Sequence, residues 1–315
     1  MTPFPAHDEA AMRDRFRGTL LGLAAGEALG EPADFLTAEQ IEERFGVITE
    51  MVGGGCHDVA PGETTDATQM MLCLAQSLAD VGGFDPEDIM RRYDGWFATH
   101  PRDVSLTVRT VLLSYRSGTQ WDLASRRAFE ILGSPAAGNG SLMRCAPIGL
   151  RYALDAEARG AFSQRESTLT HFERLAGWAC VAFNDLIAAA LAGELRERLP
   201  LIADTIDDED KRVSATLREA VEAEPEEVQS SAYVLDTLRT ALWAVLRTAS
   251  FEEAVVLAVN LGNDADTVGA VTGALAGAVH GEAGIPRRWL DVLLVRDEAT
   301  ALADRLAAQL AATVR

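Results

Sequence analysis

The sequence predicts an all-α fold, and two observations carry this prediction. Most of the chain between residues 10 and 315 consists of apolar stretches with helical spacing, separated by short segments rich in Gly, Pro, Asp and Thr. No part of the sequence shows the repeated strand and turn pattern of a β protein. With 48% hydrophobic and 24% charged residues, the 315-residue chain can bury a sizeable core. We therefore expect one compact domain over residues 1–315.

Start and stop signals set the expected helix boundaries. The first helix ends at Gly30 and Pro32, and a Thr and Asp cluster stands before the helix at 66–79. The acidic segment 196–227 is expected to be a solvated linker or helix face. The expected helices are 10–30, 37–45, 66–79, 86–99, 104–117, 121–132, 147–156, 168–191, 230–248, 251–259, a small-residue helix after 267, one from 286 and one at the C-terminus.

Glycine recurs at every fourth position in two of these helices, so each set lies along one helix face. A glycine inside a helix costs about 1 kcal/mol relative to alanine, and close approach of another backbone would compensate this cost. We expect the two glycine faces to lie near each other at the centre of the fold. The two sets are Gly18, Gly22, Gly26 and Gly30, and Gly269, Gly273, Gly277 and Gly281.

Composition excludes several classes of function. A net charge of -20 repels polyanions, so we expect no nucleic-acid partner. The first residues lack the basic start and apolar core of a signal peptide, and the longest uncharged apolar run, 267–279, is too short to cross a bilayer. We expect a cytoplasmic protein with no membrane partner.

The four cysteines form no CxxC pair and are expected to be reduced core residues: Cys56, Cys73, Cys145 and Cys180.

The first candidate chemistry lies before the second glycine-rich helix. Asp264, Asp266 and Thr267 offer several hard oxygens to one point, as Mg²⁺, Mn²⁺ or Ca²⁺ requires. A helix cap explains one of these residues equally well, because Asp and Thr are favoured there. Thr65 and Asp66 repeat the arrangement before another apolar helix. Two such clusters in one chain favour a metal centre.

The same aspartates also fit a different family. The segment 264–268 resembles the Asp-x-Asp-x-Thr motif of haloacid-dehalogenase-like phosphatases, in which the first Asp is a nucleophile at the end of a β-strand. That family places the motif near the N-terminus of an α/β fold and has a later lysine. Here no lysine follows the motif, and the chain lacks alternating strands and helices.

Five motifs occur in the order seen in ADP-ribosylglycohydrolases, and the chain resembles the dinitrogenase-reductase-activating glycohydrolase type of that family. The motifs extend over residues 18–281 and together are highly specific. They are Gly26-Glu-Ala-Leu-Gly-Glu-Pro-Ala-Asp-Phe, Thr65-Asp-Ala-Thr-Gln-Met, Gly138-Asn-Gly-Ser-Leu-Met-Arg, Leu169-Thr-His and Asn260-Leu-Gly-Asn-Asp-Ala-Asp-Thr. The resemblance implies a compact orthogonal helical bundle with a central two-metal cleft, usually for Mg²⁺ or Mn²⁺, that removes ADP-ribose from modified protein side chains.

The resemblance also implies roles for individual residues. Asp34 stands where the family has a Glu near the scissile bond, and Asp34 and Asp66 are the implied catalytic carboxylates. The implied metal ligands are Thr65, Asp66, Asp264, Asp266 and Thr267. The implied ADP-ribose contacts are Gly138, Asn139, Gly140, Ser141 and His171, although an isolated histidine such as His171 is more often structural. Amides of the glycine-rich loop would hold the diphosphate, so an acidic protein can bind this anion. The partner is then an ADP-ribosylated protein or a small molecule that contains ADP-ribose.

Three residues depart from the family pattern. Ala67 and Glu27 each stand where the family has an Asp, and Asp34 is one methylene shorter than the usual Glu. Loss of a carboxylate at position 67 is expected to weaken the second of two ions. The sequence therefore leaves two main alternatives. The chain is an active metal-dependent hydrolase, or it is a catalytically weakened relative that binds ADP-ribose or a related nucleotide.

Overall fold

The computed structural model describes residues 9–133 and 137–314. Within these residues the chain forms helices and isolated bridges but no strand, so the all-α prediction is confirmed. The helices are α1 (Glu9–Gly30), α2 (Ala38–Phe45), α3 (Asp66–Val81), α4 (Pro86–Phe97), α5 (Leu106–Arg116), α6 (Trp121–Ile131), α7 (Ala146–Arg151), α8 (Ala156–Ser167), α9 (Arg174–Leu191), α10 (Leu195–Asp207), α11 (Lys211–Glu222), α12 (Val234–Arg247), α13 (Phe251–Val259), α14 (Ala265–His280), α15 (Arg287–Val292) and α16 (Arg296–Val314).

Helices α1 and α14 pack antiparallel, glycine face to glycine face, and both are largely buried. A Cβ atom on Gly22 would clash with the carbonyl oxygen of Gly273, and one on Gly26 would clash with that of Gly269. Only residues without a side chain allow two helix backbones to approach so closely. The predicted central pairing is therefore confirmed. Because the helices are antiparallel, the C-terminal end of α1 meets the N-terminal end of α14.

The other long helices pack around this pair and share a hydrophobic core with it. Helices α12 and α13 lie against α14, and α16 lies against α1. Among the described residues, α9 is the one helix long and apolar enough to cross a membrane, but 83% of it is buried inside the protein. That burial is typical of a core helix.

Two helix predictions between residues 147 and 191 were wrong. Helix α7 ends at Arg151, and α8 follows where no separate helix was expected, because its mostly polar sequence hides the helical spacing. Helix α9 begins at Arg174 rather than near residue 168. His171 therefore lies in the turn before α9, where its backbone N–H donates to the carbonyl of Ser167 at 2.8 Å.

The acidic segment 196–227 is not a linker. It forms most of α10 and all of α11, and the apolar face of each helix contributes to the core. The buried apolar residues of the two helices within this segment are Leu199, Ala203, Ile206, Val213, Leu217 and Ala220. The interpretation as a solvated helix face is confirmed.

The four cysteines are free, as expected, but they are not all core residues. Cys145 and Cys180 are buried, and Cys73 is half-buried. Cys56 is exposed, in the loop before α3, and its thiol lies 3.3 Å from the carboxylate of Asp34. The prediction that Cys56 belongs to the core is therefore wrong, because its neighbours are polar groups of the candidate site.

Candidate active site

Two loops bring predicted carboxylates together at one end of the central helix pair. The N–H of Phe35 donates to the carbonyl of Asn263 at 2.6 Å, and the N–H of Asn263 donates to the carbonyl of Leu36 at 2.6 Å. Phe35 and Asn263 both have positive φ, 61° and 56°, which lets each loop reverse direction sharply. These two bonds fix Asp34, which follows α1, beside the start of α14.

Asp34, Asp264 and Asp266 form a cluster in which one oxygen from each carboxylate lies within 4.8 Å of the others. Asp34 Oδ1 and Asp266 Oδ1 are buried and have no hydrogen-bond partner. Asp264 stands at the N-cap of α14 but makes no capping bond. Its carboxylate instead accepts from the amide of Asn139 at 2.5 Å and from the hydroxyl of Thr267. Capping does not explain this cluster, whereas convergent unpaired oxygens fit a divalent cation.

Burial raises the pKa of all three carboxyls. It raises the pKa of Asp34 to about 6 and that of Asp266 well above its usual range, and repulsion by Asp264 adds to both shifts. Burial is also the largest cause of the raised pKa of Asp264. A bound dication favours the ionised carboxylates and would offset this cost. The donor set therefore suits an ion with oxygen ligands.

The second predicted cluster, at the start of α3, is built differently. Thr65 occupies the N-cap position but makes no capping bond with its side chain. Its hydroxyl faces two carboxylates, Glu27 Oε1 at 3.0 Å and Glu31 Oε1 at 2.5 Å. Glu27 in turn accepts the backbone N–H groups of Ala67 at 2.9 Å and Thr68 at 3.1 Å. Glu27 thus caps α3 in place of an N-cap side chain.

This second position fits a cation less well than the first. Both oxygens of Glu27 are already hydrogen-bonded, and Ala67 supplies no side-chain oxygen. Burial, with repulsion by Glu31, raises the pKa of Glu27 to about 7. Burial, with repulsion by Asp103, raises the pKa of Asp66 well above its usual range. Of the predicted ligands here, Asp66 is the one carboxylate.

His57 lies between the two clusters. Its Nδ1 is 3.2 Å from Glu31 Oε2, and its Nε2 is 3.6 Å from Asp103 Oδ1. The sulfur of Cys56 lies 3.3 Å from Asp34 Oδ2 and 3.4 Å from His57 Nδ1. The hydrogen bond to Glu31 raises the pKa of His57. Burial and the contact with Asp34 raise the pKa of the Cys56 thiol to about 12.

The glycine-rich loop and His171 come together. The ring of His171 packs so closely on Gly140 that an added Cβ would lie 2.9 Å from it, and Gly138 lies against the same ring. Ser141 is fully buried, and its hydroxyl bonds that of Ser167 at 2.8 Å. The side chain of Ser141 is therefore engaged in the core, and its ligand contact remains a prediction.

Arg144 holds the loop and His171 in place. Its fully buried guanidinium donates to Gly140 O at 3.0 Å, Thr170 Oγ1 at 2.8 Å and Glu166 Oε1 at 2.7 Å. Thr170 Oγ1 lies 2.8 Å from His171 Nδ1. Burial and the nearby Arg144 lower the pKa of His171 to about 3, so the ring is neutral.

The sequence predicted the aspartates of the two clusters but not the acidic residues around His57. Glu31, His57 and Asp103 were not singled out. Glu27 and Glu31 did carry a signal, because they lie four residues apart and are the first charged residues after the uncharged stretch 18–26. The two loop residues carried none, since their partners are distant in sequence. Residues 134–136, expected to belong to the anion-binding loop, lie outside the described residues.

The phosphatase interpretation is wrong. It requires a nucleophilic aspartate at the end of a β-strand. Asp264 instead lies between α13 and α14, and no strand is found anywhere in 9–133 or 137–314.

Comparisons with known proteins identify the family of this chain. A family model described as ADP-ribosylglycohydrolase matches residues 8–314. The chain is 33% identical over 312 residues to ADP-ribosylarginine hydrolase Tri1 of Serratia proteamaculans, which covers 95% of this chain and 80% of that protein. It is also 33% identical over 289 residues to the ADP-ribosyl-dinitrogen reductase glycohydrolase of Rhodospirillum rubrum. This match covers 91% of this chain and 93% of that protein.

A solved structure described as an ADP-ribosylglycohydrolase-related protein complex has the same fold. Its TM-score is 0.81 at 38% sequence identity, over 95% of this chain and 99% of that chain. The family match extends over nearly the whole chain, and both relatives above exceed 30% identity over most of their length. The chain therefore belongs to the ADP-ribosylglycohydrolase family.

Proposed function

We propose that this chain removes ADP-ribose from ADP-ribosylated arginine side chains by hydrolysis at the ribose anomeric carbon. Hydrolysis of ADP-ribosyl linkages is the activity named for its family and relatives. The arginine acceptor is supported by two relatives, from Serratia proteamaculans and Pseudomonas putida, that are ADP-ribosylarginine hydrolases. The observation that carries the proposal is the convergence of Asp34, Asp264 and Asp266, with Asp264 tied to Asn139 of the glycine-rich loop.

The proposed cofactor is Mg²⁺ or Mn²⁺, because the donors are hard oxygens. When bound, the cation would orient the ribose hydroxyls and acidify a water molecule. The strong position has Asp34, Asp264, Asp266 and Thr267 as ligands. Thr65 and Asp66 are the residues that remain for a second, weaker position.

Asp34 is proposed as the carboxylate beside the scissile bond, and Asp66 as the second catalytic carboxylate. Departure of the leaving group builds positive charge on the ribose ring, which a nearby carboxylate stabilises. A pKa of about 6 leaves Asp34 mostly ionised at neutral pH. Asn139 keeps Asp264 oriented, because its amide donates to that carboxylate at 2.5 Å.

The glycine-rich loop at 138–141 and His171 are proposed to hold ADP-ribose. Backbone amides of such a loop bind a diphosphate without adding net charge. The neutral ring of His171 can pack against the ligand and hydrogen-bond to it. We further propose that the chain acts as a single domain in the cytoplasm, on ADP-ribosylated proteins or on small molecules that contain ADP-ribose.

A second candidate function is ADP-ribose binding without efficient cleavage. The observation that favours it is at position 67, where the alanine offers no oxygen and Glu27 serves as a helix cap. An incomplete metal centre would then retain the ligand but slow its hydrolysis.

The test is release of free ADP-ribose from an arginine-ADP-ribosylated protein with Mg²⁺ or Mn²⁺. We expect release by the parent chain, loss with EDTA, and a decrease of about 100-fold in Asp34→Asn and Asp266→Asn. The exposed variant Asp122→Asn is the matched control and should act like the parent. A serine-ADP-ribosylated protein, tested in parallel, checks the acceptor. Release by Ala67→Asp but not by the parent would identify a weakened relative instead. Tight ADP-ribose binding without release by any form would support the binding function.

A further inference from the structure

We propose that the chain holds a single divalent cation, at Asp34, Asp264 and Asp266, and that the side chain of His57 takes the electrostatic place of a second ion. The inference rests on the proposed metal centre and specifies how many ions it holds. It depends on contacts around Thr65 and Asp66, the remaining ligands of the second position.

The hydroxyl of Thr65 is directed at carboxylates. It lies 3.0 Å from Glu27 Oε1 and 2.5 Å from Glu31 Oε1, and all three side chains are buried. A hydroxyl has one proton to donate, and both neighbours are acceptors when ionised. Thr65 therefore serves to bind these two carboxylates together.

Glu27 does not replace the ligand absent at position 67. One of its oxygens accepts the N–H of Ala67 at 2.9 Å, and the other accepts that of Thr68 at 3.1 Å. The carboxylate thus lies over the backbone at the start of α3, which is where a cap belongs. The second position keeps Asp66 as its only ionisable ligand.

His57 supplies positive charge to this same region. Nδ1 lies 3.2 Å from Glu31 Oε2, and Nε2 lies 3.6 Å from Asp103 Oδ1. Because each ring nitrogen faces a carboxylate, the favourable state of the ring carries a proton on both. Glu31 is fully buried and the His57 side chain is 14% exposed, so water screens the contact weakly.

The carboxylates that hold His57 are those that contact the second-site ligands. Glu31 joins the ring to Thr65 through the bond at 2.5 Å, and the carboxylate of Asp103 lies close enough to Asp66 to repel its charge. Each ligand is therefore one carboxylate away from the imidazole. A second dication here would be repelled by the ring and would compete with it for the same two carboxylates.

The experiment counts ions directly. The chain is stripped with EDTA, and Mn²⁺ is added while binding is followed by calorimetry and by electron paramagnetic resonance. We expect one Mn²⁺ per chain, with the spectrum of an isolated ion. Two tightly bound ions, with a spin-coupled spectrum, would overturn the proposal. So would stoichiometric zinc in the purified chain that is lost in Cys56→Ser, because Asp34, Cys56 and His57 also lie within 4.8 Å of one another.

Variants of His57 test the electrostatic substitution. His57→Gln removes the charge, and together with Ala67→Asp it should allow a second Mn²⁺ to bind. His57→Lys keeps a positive charge, so with Ala67→Asp it should stay at one ion. His100→Gln, at an exposed histidine, is the control and should match the parent. If the Gln and Lys double variants bind the same number of ions, His57 does not act as proposed. The count is independent of ADP-ribose release, so failure of the proposed hydrolase activity is a separate result.

Discussion

The carboxylate of Glu27, on α1, caps α3 by accepting the backbone N–H of Ala67 at 2.9 Å. The longer side chain at position 27 and the shorter one at position 67 meet at the point where the family pattern has two aspartates. Glu27 and Ala67, which both differ from the family pattern, are therefore in contact with each other and form one local change. The carboxylate near the start of α3 comes from α1 and serves the backbone, which leaves Asp66 as the ionisable ligand on α3.

Glu27→Ala should lower the free energy of unfolding by about 2 kcal/mol, because two buried backbone N–H groups lose their acceptor. Urea denaturation measures this change. Glu43→Ala, at an exposed acidic position of α2, is the control and should stay within about 0.5 kcal/mol of the parent. Equal effects of the two substitutions would show that Glu27 does not act as a cap.

Gly26→Ala should destabilise the protein by about 3 kcal/mol, because its Cβ would overlap the carbonyl oxygen of Gly269. Gly95→Ala is the matched control, since Gly95 is exposed within α4 and an added Cβ there has no neighbour within 4 Å. That control should gain up to about 1 kcal/mol from helix propensity. The difference in urea midpoint between the variants checks both values. A stabilising Gly26→Ala would contradict the close packing of α1 and α14.

The part of the fold that could be predicted from the sequence is the part that local patterns encode. The glycine spacing predicted the pairing of α1 with α14, because each glycine face has one partner that fits it. The helix α8 was missed, because its sequence is mostly polar and its apolar positions are too few to show a period. The turn before α9 was also missed, so His171 was placed inside a helix instead of before it.

The candidate site also contains residues that local sequence patterns predict and residues that they do not. Asp264 and Asp266 stand in one short segment, and their position at a helix start is legible from the sequence. The contacts of His57 with Glu31 and Asp103 join three separate parts of the chain, and no periodicity or spacing records them. Whether Glu27 caps a helix or binds an ion depends on the distance between α1 and α3, which only the folded chain provides.

Arg144→Met should cost about 3–5 kcal/mol in free energy of unfolding, because it leaves the buried Glu166 without its ion pair. Arg144→Met with Glu166→Leu should cost clearly less than the single change, because no buried charge remains unpaired. Chemical denaturation of the parent, Arg144→Met, Glu166→Leu and the double variant measures the coupling. The exposed pair Arg126 and Glu130 is the control and should couple by less than about 0.5 kcal/mol. If the free-energy costs of the two single substitutions add up to that of the double variant, Arg144 and Glu166 do not stabilise each other as a buried ion pair.

Without metal, the chain should lose stability as pH rises from about 4 to about 6. Asp34 has its pKa raised from 3.8 to about 6 in the folded state, so in this window the folded chain binds more protons than the unfolded chain. Stability therefore falls with rising pH, by about 3 kcal/mol in total from this group. Mn²⁺ should offset the loss near neutral pH, because it binds the ionised carboxylates.

Unfolding in EDTA and in Mn²⁺ across this pH range checks the slope. Asp34→Asn removes the group and should flatten the metal-free curve relative to the parent. The surface variant Asp122→Asn should keep the parent slope, because its side chain is exposed on α6. The prediction is contradicted if, without metal, the free energy of unfolding of the parent rises between about pH 4 and about pH 6 relative to that of Asp34→Asn.

Asn139→Ala should weaken Mn²⁺ binding by about 10- to 100-fold, because a ligand carboxylate that loses its hydrogen-bond partner is no longer held in position. The amide of Asn139 donates to Asp264 Oδ2 at 2.5 Å and to Thr237 Oγ1 at 2.9 Å. Thr237→Val removes the second bond and keeps the first, so it serves as the matched control. If Asn139 were only structural, both variants would lower the melting temperature and leave Mn²⁺ affinity unchanged. Calorimetric affinities separate the two cases, and a loss confined to Asn139→Ala identifies it as the residue that positions Asp264.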